Sequence, residues 1–65
     1  MKAIIVFRRT APRNEGSLVV EEENLQRELS KLRKYDHDVV CILHVSFALR
    51  VRYVEFPDQK EAVKA

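Results

Sequence analysis

His37, Cys41 and His44 stand at spacings of four and three, and imidazole and thiolate are the side chains that take up zinc most readily. The surrounding pattern excludes the site. Residues 38–56 alternate apolar and polar with a period of two, which marks a β-strand. On a strand, residues three apart point to opposite faces, so Cys41 and His44 diverge. His37 falls in the turn that precedes the strand, and no fourth ligand lies at a zinc spacing. Neither a metal nor a cofactor is expected.

Catalytic patterns are equally thin. Cys41 sits mid-strand among apolar neighbours, where a thiol behaves as a small, inert hydrophobe. The chain holds no G-x-S-x-G elbow and no glycine loop to cradle a phosphate. Carboxylates cluster only at 21–23 and at Asp36 and Asp38, and the first cluster is the solvated start of a helix. A non-enzymatic protein is expected.

The arginines carry more promise. Arg50 and Arg52 project from one strand face, which Arg8 could share, while Arg9, Arg13 and Asn14 belong to a polar loop. Such a set can grip an acidic protein surface or nucleic-acid phosphates. A single-strand platform also wants outward aromatics. Phe47 and Tyr53 instead share the apolar parity of their strand, and the acidic 21–23 cluster opposes a polyanion. Protein binding through Arg9, Arg13, Asn14, Arg50 and Arg52 is therefore the leading expectation, with nucleic-acid binding by Arg8, Arg50 and Arg52 as the alternative.

These residues need elements to hold them. Residues 3–8 are apolar on both faces and predict a strand central in its sheet. Pro12, Asn14 and the single glycine, Gly16, mark an irregular loop over 9–17. Leu18, Val19 and Val20 then favour a short return strand over an early helix start. From 22 to 34, Leu25, Leu29 and Leu32 form one stripe, with acidic residues leading and Lys31, Arg33 and Lys34 trailing. Residues 35–38 make a tight polar connection, and Pro57 ends the sheet. The fold class is thus α+β: an antiparallel sheet of three or four strands with one amphipathic helix on one face, in the order β-(β)-α-β-β. A single domain covers 1–57, and 58–65 form a polar tail.

The long alternating segment sets a geometric problem. Fully extended, 39–54 would span about 50 Å, against about 28 Å for a compact chain of this length. A three-residue loop at 45–47 resolves it by pairing Leu43 with Leu49, Cys41 with Val51 and Val39 with Tyr53, although Val-Ser-Phe lacks the Gly or Asn of such turns. The other solution is one long strand, bent at 46–48, whose far half pairs with another subunit. Either way an edge stays open, and open edges are normally covered.

With 65 residues and one cysteine, the chain is short for a stable core and has no intrachain disulfide. A partner subunit is the remaining support, so a homodimer is expected through Val45, Phe47, Leu49, Val51 and Tyr53, or a complex with a host or cognate protein. The apolar and charged fractions, 46% and 34%, fit a folded soluble chain, and a charge of +2 is too small to imply a polyanion. The opening residues are too short for a signal peptide, and no run is long enough to cross a membrane, so a cytoplasmic protein without membrane contact is expected. Independent chains of this size include many phage- and mobile-element-encoded inhibitors and adaptors of host proteins, and that class is the expected one.

Overall fold

A computed structural model of the chain describes residues 1–57. The expected tail, 58–65, lies outside them. Strand β1 (Lys2–Arg9) is followed by β2 (Asn14–Glu21), a 3-10 turn (Glu22–Asn24), helix α1 (Leu25–Lys34), β3 (Asp38–Val45) and β4 (Val51–Glu55). The four strands form one antiparallel sheet in the order β2-β1-β3-β4. This is the α+β architecture read from the periodicity, with β1 in the centre as its two apolar faces require.

Helix α1 packs its leucine stripe on one sheet face. Leu25 and Leu29 are buried against Ala3, Ile5, Val39 and Ile42, and Leu32 and Val20 close the margin. The helix ends because Asp36 turns left-handed at φ 64°. The His37 amide then donates to the Leu32 carbonyl at 2.9 Å and the Asp36 amide to that of Arg33 at 3.1 Å, which satisfies carbonyls that the last turn would leave unpaired.

Three details differ from the sequence reading. The irregular loop is not 9–17. Strand β2 already begins at Asn14, and only 10–13 connect it to β1. Register explains the difference: Arg9 pairs with Asn14 and Phe7 with Gly16. Gly16 lies beside the Phe7 ring, and a Cβ placed there would meet the ring at about 3.6 Å, an ordinary packing distance, so this glycine is a strand residue and not the mark of a loop.

The strict alternation of 39–54 is also broken, twice. Val6 pairs with Cys41 but Phe7 with Val39, leaving Val40 as an extra residue. His44 pairs with Tyr53 but Val45 with Val51, leaving Arg52 extra. Each bulge shifts the parity of everything beyond it. Val39, Ile42, His44 and Tyr53 therefore stand on the helix side, while Cys41, Leu43, Val45 and Val51 face the other way.

The segment is a hairpin, not one long strand, but its tip is Phe47-Ala48-Leu49 rather than 45–47. Leu43 pairs with Val54 instead of Leu49. Ser46 decides this. Its amide donates to the Arg50 carbonyl at 2.9 Å, its carbonyl accepts from the Leu49 amide at 3.0 Å, and its hydroxyl accepts from the Ala48 and Arg50 amides at 3.3 and 3.4 Å. A serine hydroxyl that takes two loop amides supplies the turn chemistry that Val45 could not.

Candidate interaction surface

The outer part of this hairpin is the most exposed apolar feature among the described residues. Phe47 is 87% and Leu49 80% exposed, and Val51, Tyr53, Val54 and Phe56 are each exposed on β4 or just beyond it. Leu49 also occupies the left-handed position of the loop, φ 60°, where glycine or asparagine normally sits. A left-handed leucine is strained by about 1–2 kcal/mol. The chain therefore carries a strained, water-exposed leucine beside a water-exposed phenylalanine, a combination that folding alone does not favour.

The neighbouring cations suit such a tip. Arg50 and Arg52 flank it, and no ion pair joins either to a carboxylate among the described residues. The Arg52 guanidinium lies 5.8 Å from the centre of the Tyr53 ring, a cation–π distance.

The sheet face away from α1 continues the patch. Val19, Ile4, Leu43 and Val54 stand side by side across all four strands, with Val19 at 59% and Val54 at 40% exposure. Val6 and Cys41 form the next row with Ser17. Charged rows close both ends: Lys2 bridged to Glu21 at one, and Glu15, Arg8 and Asp38 side by side at the other. Lys2 holds the Glu21 carboxyl below the usual carboxylate range.

The residues singled out from sequence divide into two groups. Phe47, Leu49, Val51, Tyr53, Arg50 and Arg52 are brought together on the hairpin. Val45 is not available with them: it is 4% exposed, between Lys2 and Val51 in the sheet. Arg9, Arg13 and Asn14 lie at the other end of the sheet and are engaged locally. Arg9 donates to the carbonyls of Pro12 and Tyr35, both at 3.1 Å. Arg13 pairs with Glu15 at 3.1 Å, and the Asn14 amide nitrogen donates to His37 Nε2 at 3.0 Å. Arg8 also lies at that end, about 20 Å along the strand from the Lys2 row that leads to β4. The basic face composed of Arg8, Arg50 and Arg52 is therefore not continuous.

What sequence reading missed is how β4 is fastened. His44 is only 4% exposed. Its Nδ1 lies 2.9 Å from Glu22 Oε2 and its Nε2 lies 2.9 Å from Glu55 Oε1. The ring stacks on Tyr53 at 4.2 Å, 12° from parallel. Carboxylate oxygens can only accept, so the imidazolium, donating from both nitrogens, is the form that satisfies the arrangement. Burial alone pushes the His44 pKa down, but the hydrogen bonds to Glu22 and Glu55 outweigh it and raise the pKa above the usual value. The three side chains come from the 3-10 turn, β3 and β4. No sequence motif links them; only the strand register does.

Among the described residues no group of three or more His, Cys, Asp and Glu side chains is placed to hold a metal ion. No described helix is long and apolar enough to cross a membrane. Comparison with protein-family models, curated proteins and solved structures finds no match to this chain.

Proposed function

We propose that this chain is a non-enzymatic protein-interaction module that docks through the hairpin tip and β4, first with a second copy of itself and, in that form, with a cognate or host protein. The observation that carries the reading is the tip: Phe47 and Leu49 are almost wholly in water, and Leu49 is held in a conformation that glycine would adopt without strain. Exposed aromatic and aliphatic anchors beside arginine are the composition of interface hot spots. Among the described residues β4 is an edge strand, with backbone groups that a second strand can complete. The apolar rows on the uncovered sheet face extend the same surface, and a chain of 65 residues gains stability from covering them.

Sedimentation equilibrium from micromolar to millimolar concentration tests the pairing. The wild-type chain is expected to move from 7.6 kDa to twice that mass, and Phe47→Glu with Leu49→Glu to remain at the lower mass with an unchanged circular dichroism spectrum. A wild-type chain that stays single throughout the range refutes self-pairing.

A further inference from the structure

A single helix cannot cover this sheet. Four strands at about 4.8 Å spacing make a face about 19 Å wide, and a helix with its side chains is about 10 Å across. Leu25 and Leu29 centre α1 on β1 and β3, so both flanks of that face stay open. On the β4 flank, Tyr53 and the carboxylates of Glu22 and Glu55 close over His44. On the β2 flank a cleft of about 340 Å³ remains, with Leu18, Leu32 and Tyr35 as its apolar lining and Arg9, Lys31 and His37 among the polar groups around it.

The polar groups of this cleft lean toward accepting an anion. Arg9 is half-buried, and its partners are two backbone carbonyls, Pro12 O through Nε and Tyr35 O through Nη1. These contacts fix the guanidinium without neutralising it, and they leave its Nη2 donors unused. The one carboxylate in the lining, Glu28, is drawn to Lys31 at 3.7 Å. His37 contributes a wall of the cleft: its Nε2 lies 3.0 Å from the Asn14 amide nitrogen, and its Nδ1 is enclosed by the protein rather than turned to the open cleft.

We propose that this cleft is a binding site for a small amphiphilic organic acid, whose single-ring or short-chain body packs on Leu18, Leu32 and Tyr35 while its carboxylate pairs with Arg9. The volume, about 340 Å³, is near the lower end of ligand pockets, about 300–1,000 Å³, which suits a body of one ring or a short chain. The planar fork of arginine matches a carboxylate in a way that an ammonium does not. The site lies on the sheet flank opposite β4, so it stands independently of the pairing proposed above.

The test is a titration of the whole ¹⁵N-labelled chain, followed by amide chemical shifts, with 3-phenylpropanoate, 3-phenylpropanamide and 3-phenylpropylamine as probes. The carboxylate is expected to give saturable shifts at Leu18, Leu32, Tyr35 and His37, and to bind about tenfold more tightly than the amide, because an ionised partner makes the hydrogen bonds markedly stronger. Arg9→Gln should bring acid and amide to equal affinity, and Leu32→Trp should fill the cleft and abolish both. Equal affinity of the three probes for the wild-type chain, the absence of saturable shifts at millimolar probe, or shifts centred on β4 would each overturn the assignment. The wild-type comparison needs no variant to fold.

Discussion

Raising the pH from 6 to 8.5 should loosen β4 and lower the stability of the fold. His44 holds Glu22 and Glu55 at 2.9 Å each, from opposite sides of a ring that is 4% exposed. Its pKa in the folded chain lies above the ordinary value of 6.5. Between 6.5 and that raised value the folded chain binds more protons than the unfolded one, so stability falls with increasing pH. The contribution is fully present below pH 6.5 and is lost as pH rises through the folded pKa. A neutral imidazole keeps one N–H, so one of the two bonds is replaced by a lone pair facing a carboxylate oxygen. A hydrogen bond to a charged group contributes about 1.5–3 kcal/mol. The carboxylate side chains are 30% and 48% exposed, so screening reduces this to about 1–2 kcal/mol. For a chain of this size, 1 kcal/mol corresponds to about 4–8 °C in Tm. Thermal melts followed by circular dichroism, at a protein concentration where the chain is single, read the change directly. The protection of the Tyr53 and Val54 amides, taken relative to the intrinsic base-catalysed exchange rate at each pH, should fall in parallel. Glu55→Gln supplies the control: its amide can donate to a neutral Nε2 while Nδ1–H still reaches Glu22, so the variant should lose most of the pH dependence. A Tm that stays level or rises from pH 6 to 8.5 in the wild-type chain would refute the reasoning.

Two further outcomes test the hairpin and the bulges. Leu49→Gly relieves the left-handed strain and should raise the unfolding free energy by about 0.5–1 kcal/mol after the extra entropy of glycine is offset, read as a higher urea midpoint, while it weakens self-association in sedimentation; a lower midpoint would argue against the φ 60° turn. Ile42→Ala should cost about 2–5 kcal/mol, because Ile42 is wholly buried under α1, whereas Cys41→Ala on the open face should change stability by about 1 kcal/mol or less. Equal losses at the two positions in chemical denaturation would mean that the bulge at Val40 is misplaced.

The α+β class was legible because its signals are local. The stripe Leu25, Leu29, Leu32 and the charge order along α1 depend on neighbours within two turns. The two-faced apolar run of β1 likewise announces a central strand. A hairpin in 39–54 was legible from length alone. Its register was not, because a bulge costs the sequence nothing visible: a period of two continues unbroken through Val40 and Arg52 while the pairing steps past them. The parity expected for Cys41, Leu43 and Ile42 therefore came out reversed relative to the core.

The candidate surface divides along the same line. Phe47, Leu49, Arg50 and Arg52 were singled out from the sequence, but with the loop set at 45–47 and Leu49 in a strand, so their shared exposure at the tip emerged only from the register. The Glu22–His44–Glu55 fastening and the Arg9 cleft could not be singled out at all. The hydrogen-bonded pairs that tie them together, His44 with Glu22 and Glu55 and Arg9 with Tyr35, are separated by eleven to twenty-six residues, and nothing in the composition of either segment marks them as neighbours. By itself the amino-acid order determined which segments are strands and which is a helix, through side-chain periodicity and backbone preference. Tertiary structure alone decided which side chains meet, because that depends on register and on how far one helix reaches across four strands, and both are settled only when the whole sheet closes.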